Sequence, residues 1–177
     1  MNSEDPTKIV LQTNIKKEND PTLIRMSGVA IHGNTPFDVP FISQIKDNLW
    51  QGGCQNGLQL PHFFKHIISL YPWESYRINH DMNTQVYIKM YDSLDQSMEQ
   101  VDIIANLINI CVKDGPTLVH CQAGLNRSSL VVARSLMLRQ DDWDRQFNVD
   151  EAISLLRENR SPAILCNTAF ENHLRNL

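Results

Sequence analysis

Residues 117–139, TLVHCQAGLNRSSLVVARSLMLR, constrain the fold of this chain more than any other stretch. TLVH reads as a short buried strand that runs straight into Cys121. A glycine-bearing loop follows, and then SSLVVARSLMLRQ, which is apolar on nearly every side. Such a helix belongs in the middle of a fold rather than on its surface. A buried strand feeding a buried helix needs packed layers around both. A chain of 177 residues is long enough to build them as one domain.

The flanking sequence supplies the layers. FISQI and NLWQGG read as two short strands, the second closed by Gly52 and Gly53. LPHFFKHIISLY begins like a helical turn and becomes an apolar strand. VYIKMY, residues 86–91, is a further strand that ends at Asp92. Met98, Val101, Ile104, Ala105, Ile108, Cys111 and Val112 recur at helical steps over residues 96–112, and Asp114-Gly115-Pro116 stops that helix. Asp95 reads as its cap. Another helix opens at Asn148, with Glu151 as capping-box partner, and a last short one runs from about Asn167 to Leu174. Strands alternating with helices predict an α/β fold, a central, mostly parallel sheet of about five strands flanked by helices. Residues 1–38 are polar and charged and form an N-terminal extension of open order, in which TLIRMSGVAI can make a short strand. Residues 39–177 form the main domain.

The formal charge of −4 provides no general field for nucleic acid or an anionic membrane, so any anion site must be local. No stretch approaches the ~20 apolar residues of a spanning helix, and the first residues lack the apolar core of a secretory signal. The four cysteines, at 54, 111, 121 and 166, show neither CxxC pairing nor zinc-like spacing. No metal or organic cofactor is expected, and a reducing, cytoplasmic setting is. Cys54 and Cys111 read as core residues, and Cys166 as packing near the last helix. Any of the three is a candidate to trap an oxidised Cys121 as a disulfide.

A cysteine separated from an arginine by five residues is weak on its own. With this chain's cysteine and arginine content, chance supplies that spacing in roughly one chain in five. The context carries the information. A strand–loop–helix aims consecutive backbone N–H groups into one small concavity, at the positive end of a helix dipole. Ala123 and Gly124 are small enough for the backbone to curl round an anion, and Arg127 offers a planar fork for two of its oxygens. A thiol facing that concavity is expected to be held as thiolate, and the same N–H groups would bind a tetrahedral oxyanion beside it. Nucleophile and anion site coincide, which suggests phosphoryl transfer through a cysteinyl-phosphate. A buried cysteine before an ordinary turn is the plainer alternative.

HCQAGLNRSS resembles the His-Cys-x5-Arg-Ser/Thr signature of the cysteine-based protein tyrosine phosphatases, specifically their dual-specificity group. The resemblance runs from about Pro40 to the C-terminus. NLWQGG is similar to the strand that opens those catalytic domains, and ENRSPAILCNTAF to the segment that closes them. It implies a dual-specificity phosphatase-like fold, with residues 39–177 as the phosphatase catalytic domain. It also implies Cys121 as nucleophile, Arg127 as the clamp on the equatorial oxygens, and Ser128 as hydrogen-bond partner of the sulfur. Gln122, Ala123, Gly124, Leu125, Asn126 and Arg127 would hold the substrate phosphate. Asp92, at a strand end, would protonate the leaving oxygen, which departs poorly without a proton. His120 is expected to fix the loop backbone rather than act as a base. Asn126 is read as a turn residue that tolerates left-handed geometry. Arg160 either braces the loop or lies solvated at a helix end.

No lysine stands among the variable loop positions, which favours a monophosphorylated substrate, a phosphoprotein or phosphopeptide. Trp73, Tyr76 and Arg77 either line the pocket or belong to an ordinary surface loop. The sequence leaves oligomeric state open. Two other readings stand beside the phosphatase: an RNA 5′-triphosphatase-like activity, which Gly-Leu-Asn-Arg also resembles, and a non-catalytic phosphate-binding module. Neither nucleic acid nor membrane is expected as a partner.

Overall fold

A computed structural model describes residues 15–139 and 146–177. Its centre is a five-stranded sheet built from β3 (Ile42–Lys46), β4 (Leu49–Gly52), β5 (His66–Ser69), β6 (Thr84–Tyr87) and β7 (Thr117–His120). The spatial order is β3-β4-β7-β5-β6, with β3 antiparallel to β4 and every other pairing parallel. β7 takes the middle position because TLVH is buried at all four residues, as a strand covered on both faces requires.

Neighbouring residues on these strands serve opposite faces. Val119 and Ile68 point into one core with Leu49, and Leu118 and Ile67 into another with Phe41, Leu60 and Phe64. The first core is closed by four helices, α1 (Glu99–Asp114), α2 (Arg127–Leu138), α3 (Val149–Asn159) and α4 (Thr168–Arg175). The second face is covered by irregular chain, where Trp50, Phe63 and Phe64 stack with centroids 4.3–5.5 Å apart. α2 is the innermost helix, with eight of its residues buried. α3 opens on a complete capping box between Asn148 and Glu151. Among the described residues no helix is long and apolar enough to cross a membrane.

Three details depart from the sequence reading. The strand expected at 86–91 lies at 84–87, because its partner β5 ends at Ser69. Ile88 makes the last pairing, donating to the Ser69 carbonyl, and Leu70 has already turned to pair with His120. Asp92 therefore stands five residues beyond the strand, on an irregular segment. Asp95 does not cap α1: that helix starts at Glu99 behind Met98, with no side-chain cap. The buried Gln96 shapes the approach instead, accepting from the Tyr91 N–H at 2.7 Å and donating to Ser97 O and Gln100 Oε1. The third detail is order near the N-terminus. β1 (Arg25–Val29) and β2 (Pro36–Pro40) form an antiparallel hairpin, turned through left-handed backbone at Gly33 (φ 76°) and Asn34 (φ 50°). Residues 1–14 of the extension lie outside the described residues.

Candidate active site

Strand β7 ends at His120 and delivers Cys121 to the C-terminal edge of the sheet, where α2 begins at Arg127. The loop between them is sewn to β4: Cys121 N donates to Gly52 O at 3.1 Å, and Cys54 N to Gln122 O at 3.0 Å. Gly124 sits at φ 69°, and a Cβ there would meet the Gly52 backbone at 2.4 Å, so only glycine lets the loop close on β4. Gly124 N donates to Cys121 Sγ at 3.3 Å, and Sγ and Ser128 Oγ hydrogen-bond at the same distance. The sulfur thus faces the first turn of α2, where unpaired N–H groups and the helix dipole favour negative charge.

What shapes the loop is Arg160. Its buried guanidinium donates to Gly124 O (2.7 Å) and Ala123 O (3.0 Å) on the loop, and to Pro40 O, Phe41 O and Ser43 Oγ (3.0–3.2 Å) around β3. Drawing the loop carbonyls outward turns the opposite edges of the peptides, their N–H groups, inward. Burial lowers the guanidinium to about 10, with Cys121 and Tyr76 acting the other way, so it remains charged at neutral pH. Arg160 is therefore a brace within the protein and not a solvated helix end.

His120 lies beneath the loop with both ring nitrogens engaged, one with Ser69 Oγ at 2.6 Å and one with Cys121 O at 3.2 Å. Burial holds it down to about 4, so the ring is neutral. Tyr76 meets it edge-on and donates to Gly53 O at 2.6 Å. Tyr76 belongs to the core under the site, Trp73 is exposed, and Arg77 pairs through its backbone with Leu58 and Leu60. None of the three lines the cleft. Tyr71 has the role that sequence inspection missed: its ring lies 5.1 Å from the Arg127 guanidinium, and Arg127 Nε is buried with no partner among the described residues.

Asp92, Cys121, Gln122, Ala123, Leu125, Asn126 and Arg127 line one cleft of about 270 Å³. The Asp92 carboxylate is held there by Asn126 Nδ2 (3.1 Å), Asn167 Nδ2 (2.9 Å) and His32 Nε2 (3.3 Å). Asn126 is not left-handed. Its φ is −116°, and its side chain works as a strut, accepting from Asn167 N at 2.9 Å while holding Asp92. Asp95 is exposed and faces a separate surface hollow with Lys89 and Gln100. Among the other thiols, burial pushes Cys54 up to about 12 and raises Cys111 and Cys166, which removes them as nucleophiles near neutrality.

Gln51 is the other residue the sequence reading passed over. It is completely buried on β4, with Nε2 at 2.6 Å from Ser129 Oγ, 3.1 Å from Ser128 Oγ and 3.2 Å from Gly124 O. A glutamine inside NLWQGG, at a position that alternation assigns to the core, was the available signal.

Residues 55–177 match the family model for the dual specificity phosphatase catalytic domain. The "Probable dual specificity protein phosphatase H1 homolog" of fowlpox virus is 31% identical over 111 residues, covering 60% of this chain and 64% of that protein, just under two thirds of its length. The dual specificity protein phosphatase OPG106 of vaccinia virus is 23% identical over 125 residues, covering 68% of this chain and 71% of its own. In fold, the chain is similar to human DUSP28, with a TM-score of 0.62 at 14% identity, over 77% of this chain and 92% of that one.

Proposed function

The chain belongs to the dual specificity phosphatase family, and on that footing we propose that it hydrolyses phosphate monoesters on proteins, at phosphotyrosine and phosphoserine/threonine, with Cys121 as nucleophile. The observation that carries the reading is the surroundings of Sγ. The Gly124 N–H and the Ser128 hydroxyl both lie 3.3 Å from the sulfur, and Arg127, whose buried Nε has no partner among the described residues, lines the same cleft. Donors thus converge on the sulfur itself, an arrangement that stabilises the thiolate and an oxyanion bound beside it.

In the first step the Cys121 thiolate forms a bond to phosphorus as the P–O ester bond breaks, and Asp92 gives its proton to the departing oxygen. The loop from Gln122 to Asn126 holds the phosphoryl oxygens through its N–H groups. Arg127 clamps two of them as charge spreads over the loose transition state. In the second step a water attacks phosphorus, the Asp92 carboxylate takes the water's proton, and the P–S bond breaks to return the thiolate. The Ser128 hydroxyl stabilises the leaving sulfur. His120 and Arg160 shape the loop without touching the reacting atoms.

Rapid denaturing quench during turnover of a peptide carrying labelled phosphate tests the covalent step. Label should be recovered on Cys121 as a phosphocysteine that survives alkali and is lost in acid. A Cys121→Ser protein should trap none and release no phosphate, while still binding vanadate. Turnover by that variant within about tenfold of the parent would remove the covalent mechanism.

A further inference from the structure

The β1–β2 hairpin lies ahead of the stretch that matches the family model, yet it builds one side of the cleft. Its contribution is apolar: Met26, Val29, Ile31 and Phe37 face the same space as Cys121 and Arg127. The hairpin is fastened on both sides. Ala30 is buried in the main core, Phe41 N donates to Ile24 O at 3.0 Å at its base, and His32 at its turn contacts Asp92. Val29 and Ile31 remain 61% and 92% exposed, whereas Cys121 is only 2% exposed. The cleft thus has a cationic, donor-rich floor at the sulfur and an apolar rim above it.

We propose that this hairpin is a specificity wall that selects phosphotyrosyl over phosphoseryl and phosphothreonyl groups. The inference rests on the phosphatase reading of the Cys121 loop and adds the substrate class. A phosphotyrosine places a dianion on the floor and an aromatic ring level with the rim, where burial against Val29, Ile31 and Phe37 is favourable. A phosphoserine has one methylene between its ester oxygen and its backbone. With its phosphate on the floor, its polar peptide groups would be drawn against the apolar rim and lose water without gaining partners. Volume agrees: about 270 Å³ lies just below the ~300–1,000 Å³ of sites that enclose drug-sized ligands, and suits a single ring.

The test is the double variant Val29→Ser/Ile31→Ser, assayed with one peptide sequence carrying either phosphotyrosine or phosphoserine. Both side chains are exposed, so folding should survive, and an unchanged melting temperature checks it. The parent should favour the phosphotyrosyl peptide. In the variant its KM should rise about tenfold with kcat held, as loss of an apolar contact uniform to ground and transition states requires, while the phosphoseryl KM stays put. Equal loss on both peptides, an unchanged ratio, or a parent that prefers phosphoserine would overturn the wall. If the parent hydrolyses neither peptide, the phosphatase reading fails separately. The affinities of the two peptides for Cys121→Ser protein, with and without the wall substitutions, then decide the wall by the same ratio.

Discussion

Gln51 donates its side-chain amide to Ser128 Oγ at 3.1 Å, and the same oxygen lies 3.3 Å from the sulfur of Cys121. A hydroxyl oxygen that accepts from an amide keeps its own proton for another acceptor. When Cys121 is a thiolate, that acceptor is the sulfur. Gln51 therefore sets the direction in which Ser128 donates, from a strand that never reaches the cleft.

Gln51→Met should keep the volume and lose the direction. With one hydrogen bond of ~1 kcal/mol at stake, kcat should fall by roughly fivefold. The loss belongs to breakdown of the cysteinyl-phosphate, so a pre-steady-state burst should grow as the steady rate declines. The partner variant is Ser128→Ala. If the glutamine acts through the serine, the two changes together should cost little more than Ser128→Ala alone. Full additivity would place Gln51 in a different role.

Asp92→Asn keeps the side chain's shape and removes the proton. It turns one accepting oxygen into an amide that faces the Asn126 or Asn167 donor, so an unchanged fold is checked by melting temperature. Turnover of phosphopeptides should fall about 10²–10⁴-fold, and much less for aryl phosphates whose leaving groups need no proton. The alkaline limb of the pH–rate profile should flatten in the same variant. Asp95→Asn should leave rate, profile and melting temperature alone, since that carboxylate neither enters the cleft nor caps α1. The reverse pattern would transfer the acid to Asp95.

Arg160→Met should damage stability and site together. It leaves the carbonyls of Pro40, Phe41, Ala123 and Gly124 without this donor, a loss of roughly 3 kcal/mol or more. The peptides of the Cys121 loop are then free to rotate, so vanadate affinity should drop even in protein that remains folded below its lowered melting temperature. Unchanged vanadate affinity would reduce Arg160 to a core residue.

His120 makes stability depend on pH. Its folded value of about 4 lies below the ordinary 6.5, so between those limits the unfolded chain binds more protons than the native protein. Stability is full above 6.5, falls as pH drops towards 4, and then levels off, for a total of up to about 3 kcal/mol. His173, lowered by partial burial, adds to the same slope. Denaturant midpoints for the parent and for His120→Gln should show the slope shrinking in the variant. Parallel curves would show that His120 takes up its proton equally in the folded and unfolded chain, and an inverted slope that the native state holds it more tightly.

The features legible in the sequence were those fixed by near neighbours. The Cys121 loop, the buried helix after it and the capping box at Asn148 each depend on residues a few positions apart. The sequence misled where a distant partner decides. β6 stops at Tyr87 because β5, another segment, runs out at Ser69. Asp95 is a fair cap by type, but Gln96 reaches back to Tyr91 and delays the helix. Asn126 looked like a turn former until Asp92 and Asn167 came within reach of its amide. The hairpin was visible only as a weak strand, because it packs against a loop whose position the whole sheet determines.

The Arg160 knot joins segments that leave the ribosome far apart in time. β3 and its flanks come first, the Cys121 loop much later, and the guanidinium that binds them last, at the end of α3. A growing chain therefore carries its thiol on a loop with no fixed shape until α3 has been made and has docked. Domains fold as units once their sequence is complete. Competence should accordingly arrive in one event once α3 has emerged and docked, and a nascent chain stalled between residues 121 and 160 should possess the nucleophile without the site.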